Sequence, residues 1–246
     1  MKVIRNDALV ERNKKISKYA SIIGFAVLVG GLIMGFIDPE RYLIVQVLAL
    51  PSGWLLSQVG LYMAHRYLRS PRPDETIDEA LSKVARKGRI YHYYLPVPHV
   101  LLMPAGPIVF VAKFQRGDIS VDEDDKWRQH GVSFLRKLFS QESLGNPTKE
   151  AENSVAALAN FINRHAPEVE EVPIGAIIVF TSKHGGELDL DNSRIPAMHY
   201  SKLRGYFKQH GPREPLPDAH YEALRQAFDA EAGEAVVGVV EGQRST

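Results

Sequence analysis

The octapeptide Pro107-Ile108-Val109-Phe110-Val111-Ala112-Lys113-Phe114 carries apolar side chains at both parities of an extended chain. A strand with one face in water alternates, so a run that is apolar on both faces belongs in the middle of a sheet covered from each side. Covering both sides of a sheet takes helices, and the chain outside the octapeptide offers them. Upstream, Pro104-Ala105-Gly106 is a turn, while His99 to Met103 and Arg89 to Leu95 read as strands. Before them a helix runs from Asp74, its cap, to about Arg86, with Ile77, Leu81, Val84 and Ala85 on one face and Gly88 closing it. Downstream, Asp118 to Trp127 reads as a polar excursion ending on an aromatic anchor, and the pattern from Gly131 to Phe139 does not choose between helix and strand. Asn146-Pro147 opens a helix from Thr148 to about His165, with Val155, Leu158, Ala159 and Ile162 aligned and Pro167 ending it. Ile174 to Phe180 is a second buried strand. A turn-rich stretch from Lys183 to Asn192, a short strand from Pro196 to Tyr200 and a helix from Ser201 to Gln209 follow. The last helix, Asp218 to Ala230, has Asp218 as its cap after Pro217. The fold expected is an α/β mixed sheet flanked by helices.

The N-terminal quarter has another solvent. Tyr19 to Ile37 contains no charged side chain, and at about 1.5 Å per residue it is long enough for about 30 Å of hydrocarbon. A second uncharged run, Tyr42 to Ala64, is interrupted by Gln46, Pro51, Ser52, Ser57 and Gln58, and Pro51 should kink it. Only Asp38-Pro39-Glu40-Arg41 separates the two, so they form a transmembrane helical hairpin and the lipid bilayer is a partner through residues 19–64. Lys2, Arg5, Arg12, Lys14, Lys15 and Lys18 precede the first span and Arg66, Arg69 and Arg72 follow the second, against Arg41 alone in the turn. The positive-inside rule then puts both termini in the cytoplasm. A cleaved signal peptide competes poorly, because the apolar run exceeds a usual signal core and a second span follows directly. Gly31-x-x-x-Gly35 permits close helix approach, though such spacing is common by chance in apolar segments. The organisation expected is a basic segment 1–18, a hairpin 19–67, a Pro-containing linker 68–73, an α/β domain 74–212, and a C-terminal helix and tail 213–246.

Composition narrows the chemistry. Thirty basic and 29 acidic residues give a formal charge of +1, without the global excess that marks a dedicated nucleic-acid binder. The absence of cysteine excludes disulfides, thiolate metal sites and cysteine nucleophiles. No Gly-x-x-x-x-Gly-Lys loop, Gly-x-Ser-x-Gly elbow or His-Glu-x-x-His pair occurs.

One ordered set of motifs remains: His99-Val100-Leu101-Leu102-Met103-Pro104-Ala105-Gly106, then Val109-Phe110-Val111-Ala112-Lys113 with Arg116-Gly117-Asp118-Ile119, then Trp127, then Asn146-Pro147 at the mouth of the long helix. From about Asp74 to Lys208 this resembles the nuclease-related domain family, within the restriction-endonuclease-like fold of the PD-(D/E)XK superfamily. The resemblance implies an aspartate before the first of these strands and an acidic residue two before a lysine on the next. Two such carboxylates hold a divalent cation that activates water, and the lysine orients the attack. In this chain those two positions are Pro98 and Val111, and Lys113 alone remains. The family's glutamine after Asn-Pro is replaced by Glu150, and its early glutamate corresponds to Glu75 or Glu79.

The resemblance therefore implies a membrane-anchored domain with a degenerate metal site, needing no cofactor and working as a binding or scaffolding module for a nucleic acid or protein partner. An active phosphodiesterase would require Lys113 to cooperate with relocated carboxylates, Glu79 and Glu150, around Mg²⁺ or Mn²⁺. A structural part of a membrane complex is the third possibility. Elsewhere, structural roles suffice. Asp122 to Asp125 reads as a solvated turn. His99 reads as a hydrogen-bonded residue at a strand start, Tyr91 to Tyr94 as packing, and Lys202, Arg204, Lys208 and His210 as a modest basic face. Asn146 and Pro147 are explained by helix capping alone.

Overall fold

The computed structural model describes residues 1–132, 143–169, 171–183, 185–210 and 214–233. The described residues divide into two units: Asp7–Arg72 forms one, and Met1–Asn6, Pro73–Val132 and the described residues from Leu144 onward form the other.

In the first unit, α1 (Asp7–Ile37) and α2 (Leu43–Met63) are antiparallel helices joined by a short turn in which Arg41 N–H donates to Asp38 Oδ1 at 3.1 Å. Small residues let the two backbones meet. A Cβ on Gly24 would lie 2.6 Å from Ser57 Oγ and 2.9 Å from Gly53 O, and one on Gly31 would lie 2.6 Å from the Cβ of Ala49. Ser17 Oγ donates to Gly60 O at 2.9 Å across the pair. The Gly31-x-x-x-Gly35 spacing thus has a specific use, since both glycines are buried against α2. The second helix runs through Pro51, and a π turn (Ala64–Leu68) follows it. Both helices are long and apolar enough to cross a membrane. Their outer faces remain uncovered by protein: among the described residues every exposed large hydrophobic side chain except Val3 and Leu68 is on α1 or α2.

The second unit is built on a six-stranded mixed sheet, in the order β1 (Lys2–Arg5), β2 (Arg89–His92), β3 (His99–Met103), β4 (Gly106–Lys113), β7 (Gly175–Phe180), β9 (Ala197–His199). β1 is parallel to β2, β2–β3–β4 is an antiparallel meander, and β4, β7 and β9 run parallel. A second, three-stranded sheet joins β5 (Asp118–Val121) to β6 (Trp127–His130) and to β8 (Leu188–Asp189). The helices of this unit are α3 (Pro73–Leu81), α4 (Pro147–His165), α5 (Tyr200–Gln209) and α6 (Asp218–Ala232).

Side-chain parity sorts these helices between the two faces of the large sheet. Ile90, Leu101, Phe110, Ile177 and Val179 pack with Ile77 and Leu81 of α3 and Leu203 of α5. Ile4, Tyr91, Val100, Leu102 and Val109 pack with Leu158, Phe161 and Ile162 of α4 and Leu224 and Phe228 of α6. A third cluster joins Val111, Ile178 and Phe180 to Ile119 of β5 and Ala151 of α4. The octapeptide that was apolar on both faces is accordingly covered on both faces.

Several expectations are corrected. The basic segment 1–18 is not one piece: residues 2–5 form a strand that buries Ile4 and completes the sheet edge, while the basic residues from Arg12 to Lys18 lie within α1. Asp74 does not cap its helix, which starts at Pro73 and stops at Leu81; the carboxylate sits buried against Arg5. β2 ends at His92, not Leu95, because Tyr93 takes a positive φ of 64° that breaks the extended run. The excursion Asp118 to Trp127 is a hairpin, closed where Asp122 accepts from the backbone N–H groups of Asp124 and Lys126. Asp218 makes no cap bond; Pro217 precedes the first turn of α6. The undecided stretch Gly131 to Phe139 lies, from residue 133 onward, outside the described residues, as does the tail 234–246.

Candidate functional site

Lys113 ends β4 on the face that α4 covers. Its parity is that of Val109 and Val111, and its side chain is only 6% exposed. The ammonium donates to Glu150 Oε1 at 2.5 Å and to the carbonyl of Leu144 at 3.0 Å. Glu150 reaches it because Asn146 and Pro147 start α4 just upstream. Asn146 Oδ1 accepts from Lys149 N–H at 3.0 Å, Pro147 occupies the first turn, and Glu150 lies in that turn, where a carboxylate suits the positive end of the helix dipole. Lys113 and Glu150 are thus brought together, and two of the lysine's N–H donors fasten the start of α4 to the end of β4.

The other positions that the resemblance singles out supply no ligand. Pro98 is exposed at the β2–β3 loop, with its carbonyl accepting from Tyr93 N–H at 2.9 Å. Val111 is buried in the cluster beneath Lys113. Glu79 is exposed on α3, across the sheet from Lys113, and does not join the site. Among the described residues no three His, Asp or Glu side chains converge as a metal-holding group.

Trp127 closes the same end of the domain. Its indole N–H donates to Thr148 Oγ1 at 2.9 Å, that hydroxyl donates to Asp125 Oδ1 at 3.0 Å, and Arg194 donates to Asp125 Oδ2 at 3.2 Å. Asp125 is therefore a buried tie, not a solvated turn residue like its neighbours. Asp122 fits the solvated reading, and the backbone N–H of Lys126, followed by the Arg128 side chain, holds its carboxyl below the ordinary aspartate range.

A second polar cluster lies on the opposite face, between the sheet and α3. Arg5 Nε sits 2.7 Å from Asp74 Oδ2 and Arg5 Nη2 sits 2.5 Å from Asp78 Oδ2. His92 Nε2 meets Asp78 Oδ1 at 2.9 Å, and its Nδ1 meets His99 Nδ1 at 2.9 Å, so one of these two nitrogens carries the proton and the other accepts it. Tyr93 O–H donates to Asp74 Oδ1 at 3.2 Å. Asp74, His92 and His99 are all buried. The expectation of a hydrogen-bonded His99 at a strand start agrees with this geometry. The rest of the cluster was missed because Arg5 comes from β1 and Asp74 and Asp78 from α3, with the hairpin between them in sequence. One local signal was available: Asp74 and Asp78 are four apart and share a helix face with Ile77 and Leu81.

On the α4–α6 side, Arg89 pairs with Asp229 at 2.7 Å and Tyr91 O–H donates to the same carboxylate at 2.7 Å. Burial, reinforced by that carboxylate, raises the tyrosine pKa well above its ordinary value. Compared with models of known families, with curated protein sequences and with solved structures, the chain gives no significant match to any.

Proposed function

We propose that this chain is a membrane-anchored protein of the nuclease-related type, whose α/β domain has lost the metal-binding carboxylates and serves as a binding or scaffolding module on the cytoplasmic side. The observation that carries the reading is the Lys113–Glu150 ion pair at 2.5 Å. A catalytic lysine of this class works beside two carboxylates that share a cation, which then activates water. Here the one carboxylate within reach neutralises the lysine itself, Val111 and Pro98 occupy the acidic positions, and Glu79 is on the far face. Relocated carboxylates around Mg²⁺ or Mn²⁺, the enzyme alternative, lack a second acid at this end of β4.

Anchoring is supported by the apolar side chains that α1 and α2 expose, which water would disfavour and lipid accepts. A shared side for the hairpin's two flanks is supported by the pairing of β1 with β2, because the chain before α1 and the chain after α2 enter one sheet.

Two measurements test the reading. Titration of Mn²⁺ and Mg²⁺ into the full chain in detergent, with a DNA cleavage assay, should give neither saturable heat nor product, and Lys113→Ala should change nothing; saturable binding with Lys113-dependent cleavage would overturn it. Because the chain lacks cysteine, single cysteines can map sidedness: Glu40→Cys should react with an impermeant maleimide on intact cells and Glu187→Cys only after lysis. The reverse pattern would sink the cytoplasmic assignment.

A further inference from the structure

We infer that the face formed by α3, the turn after it and α5 binds the phosphate backbone of nucleic acid without reading its sequence. The inference rests on the binding-module reading above and names the partner class that reading leaves open. Lys83, Arg86 and Lys87 follow α3, and Lys202, Arg204 and Lys208 stud α5; all six are exposed. The two helices pack against one another through a shared core that includes Ile77, Leu81, Ala85 and Leu203, so their outer positions make one surface.

The electrostatics of that surface differ from the rest of the domain. None of the six side chains forms an ion pair among the described residues, whereas Arg89, Lys113, Arg194 and Arg225 are each matched to a carboxylate. No acidic residue occurs from Ala80 to Arg89 or from Tyr200 to Gln209. On α3, Glu79 is the exposed acid, while Asp74 and Asp78 are turned inward to Arg5. A surface of unpaired cations in a chain of formal charge +1 is a local feature, not a consequence of composition. Arg204 and Lys208 are one helical turn apart, about 6 Å, which suits contacts to neighbouring phosphates along a backbone.

One observation favours nucleic acid over anionic lipid. The face exposes no large hydrophobic side chain of the kind that interfacial helices bury among acyl chains. Nor is this a nuclease cleft, since Lys113 is on the other face of the sheet.

The test uses the full chain in phosphatidylcholine nanodiscs and a fluorescein-labelled DNA duplex of about 20 base pairs, with anisotropy read across a KCl series. Six phosphate contacts give a log–log salt slope of about −5, a loss on the order of 10³-fold in affinity between about 50 and 200 mM. Lys202→Glu/Arg204→Glu/Lys208→Glu should weaken binding at least about tenfold and roughly halve the slope, while the equal-charge-type control Lys149→Glu/Arg164→Glu on α4 should not. Circular dichroism checks that each variant is folded. No binding at low salt, or binding insensitive to the α5 variant, overturns the inference. So does hydrogen-exchange protection of α3 and α5 that appears only in phosphatidylglycerol nanodiscs. Electrophoresis of the same probe with Mg²⁺ separates the two proposals: a bound, uncut duplex supports both, Lys113-dependent cutting refutes the silent-domain reading alone, and absent binding with no metal uptake refutes this inference alone.

Discussion

Replacing Arg5 by alanine should unfold the α/β domain at a much lower denaturant concentration than its place four residues from the chain's first methionine would suggest. The guanidinium spans two carboxylates, Asp74 at 2.7 Å and Asp78 at 2.5 Å, and the Asp74 side chain is fully buried. Removing one partner of a buried ion pair costs about 3–5 kcal/mol because the remaining charge keeps its desolvation penalty. Arg5 is 21% exposed, which moves the expectation to the lower end, about 3 kcal/mol. With a urea m-value of about 2 kcal/mol/M, the midpoint should fall by about 1.5 M. The chain has two tryptophans, Trp54 in α2 and Trp127 in the domain, so Trp127 emission in a Trp54→Phe background reports the domain alone. Arg5→Met/Asp74→Asn removes both charges and keeps an acceptor for Tyr93, and should recover part of the loss. A loss under about 1 kcal/mol for Arg5→Ala would put the pair in the class of surface salt bridges and refute the reasoning.

On the other face, Glu150→Ala should destabilise the domain by about 2–3 kcal/mol by stranding the buried Lys113 ammonium, whereas Lys113→Met should be near neutral because it removes the charge and keeps the volume; urea melts of both variants decide. Tyr91 has a raised pKa, so the folded state holds its proton more tightly than the unfolded chain. The stabilisation from this group is complete below about pH 10 and falls above it by up to about 1.4 kcal/mol per pH unit. Tyr91→Phe should flatten that alkaline decline, though not abolish it, since burial also raises Tyr221; urea midpoints at about pH 9 and 11 measure the difference. Gly24→Val should separate α1 from α2, because even a Cβ there lies 2.6–2.9 Å from Ser57 and Gly53, and the full chain in detergent should lose its helical circular dichroism at a lower SDS fraction than the parent.

What the sequence discloses follows the range of the forces involved. Periodicity is local, so the strands at His99, Pro107 and Ile174, the helix opened by Asn146-Pro147 and the second apolar span were legible within a residue or two, while the first helix begins at Asp7, twelve residues before the uncharged run that revealed it. The strand at Lys2 was not, because four residues with one buried side chain, Ile4, carry too little pattern, and their basic neighbours suit a membrane flank equally well. The hairpin β5–β6 was hidden by polarity: Trp127 to His130 is mostly solvent-facing, and its register depends on the Asp122 turn. At the site, the lack of carboxylates where the nuclease-related resemblance expects them is legible directly in Pro98 and Val111. The Lys113–Glu150 pair needed the geometry of the helix start, and Glu79 was assigned to a face it does not present. The Arg5–Asp78–His92–His99 chain draws on residues 5, 78, 92 and 99, a spread that no window-based pattern captures.

The position of β1 changes how the α1–α2 hairpin relates in the chain to the α/β domain. A parallel pair needs a crossover connection, and between β1 and β2 that connection is the whole of α1, α2 and α3. The hairpin is therefore an insertion inside a β–crossover–β unit, not an appendage in front of a finished domain. A soluble version cut at Asp74 would lose an edge strand, expose the pairing groups of β2 and remove the guanidinium from Asp74 and Asp78. Because Arg5 and Asp74 are in direct contact, a short glycine linker from Asn6 to Pro73 closes the gap that excising the hairpin leaves. In synthesis order, β1 emerges before β2 and cannot pair until β2 follows, 87 residues later by the Lys2–Arg89 register. The edge of the sheet is thus completed only after the hairpin has been made, so the closing of the domain depends on the two flanks of the hairpin being held together.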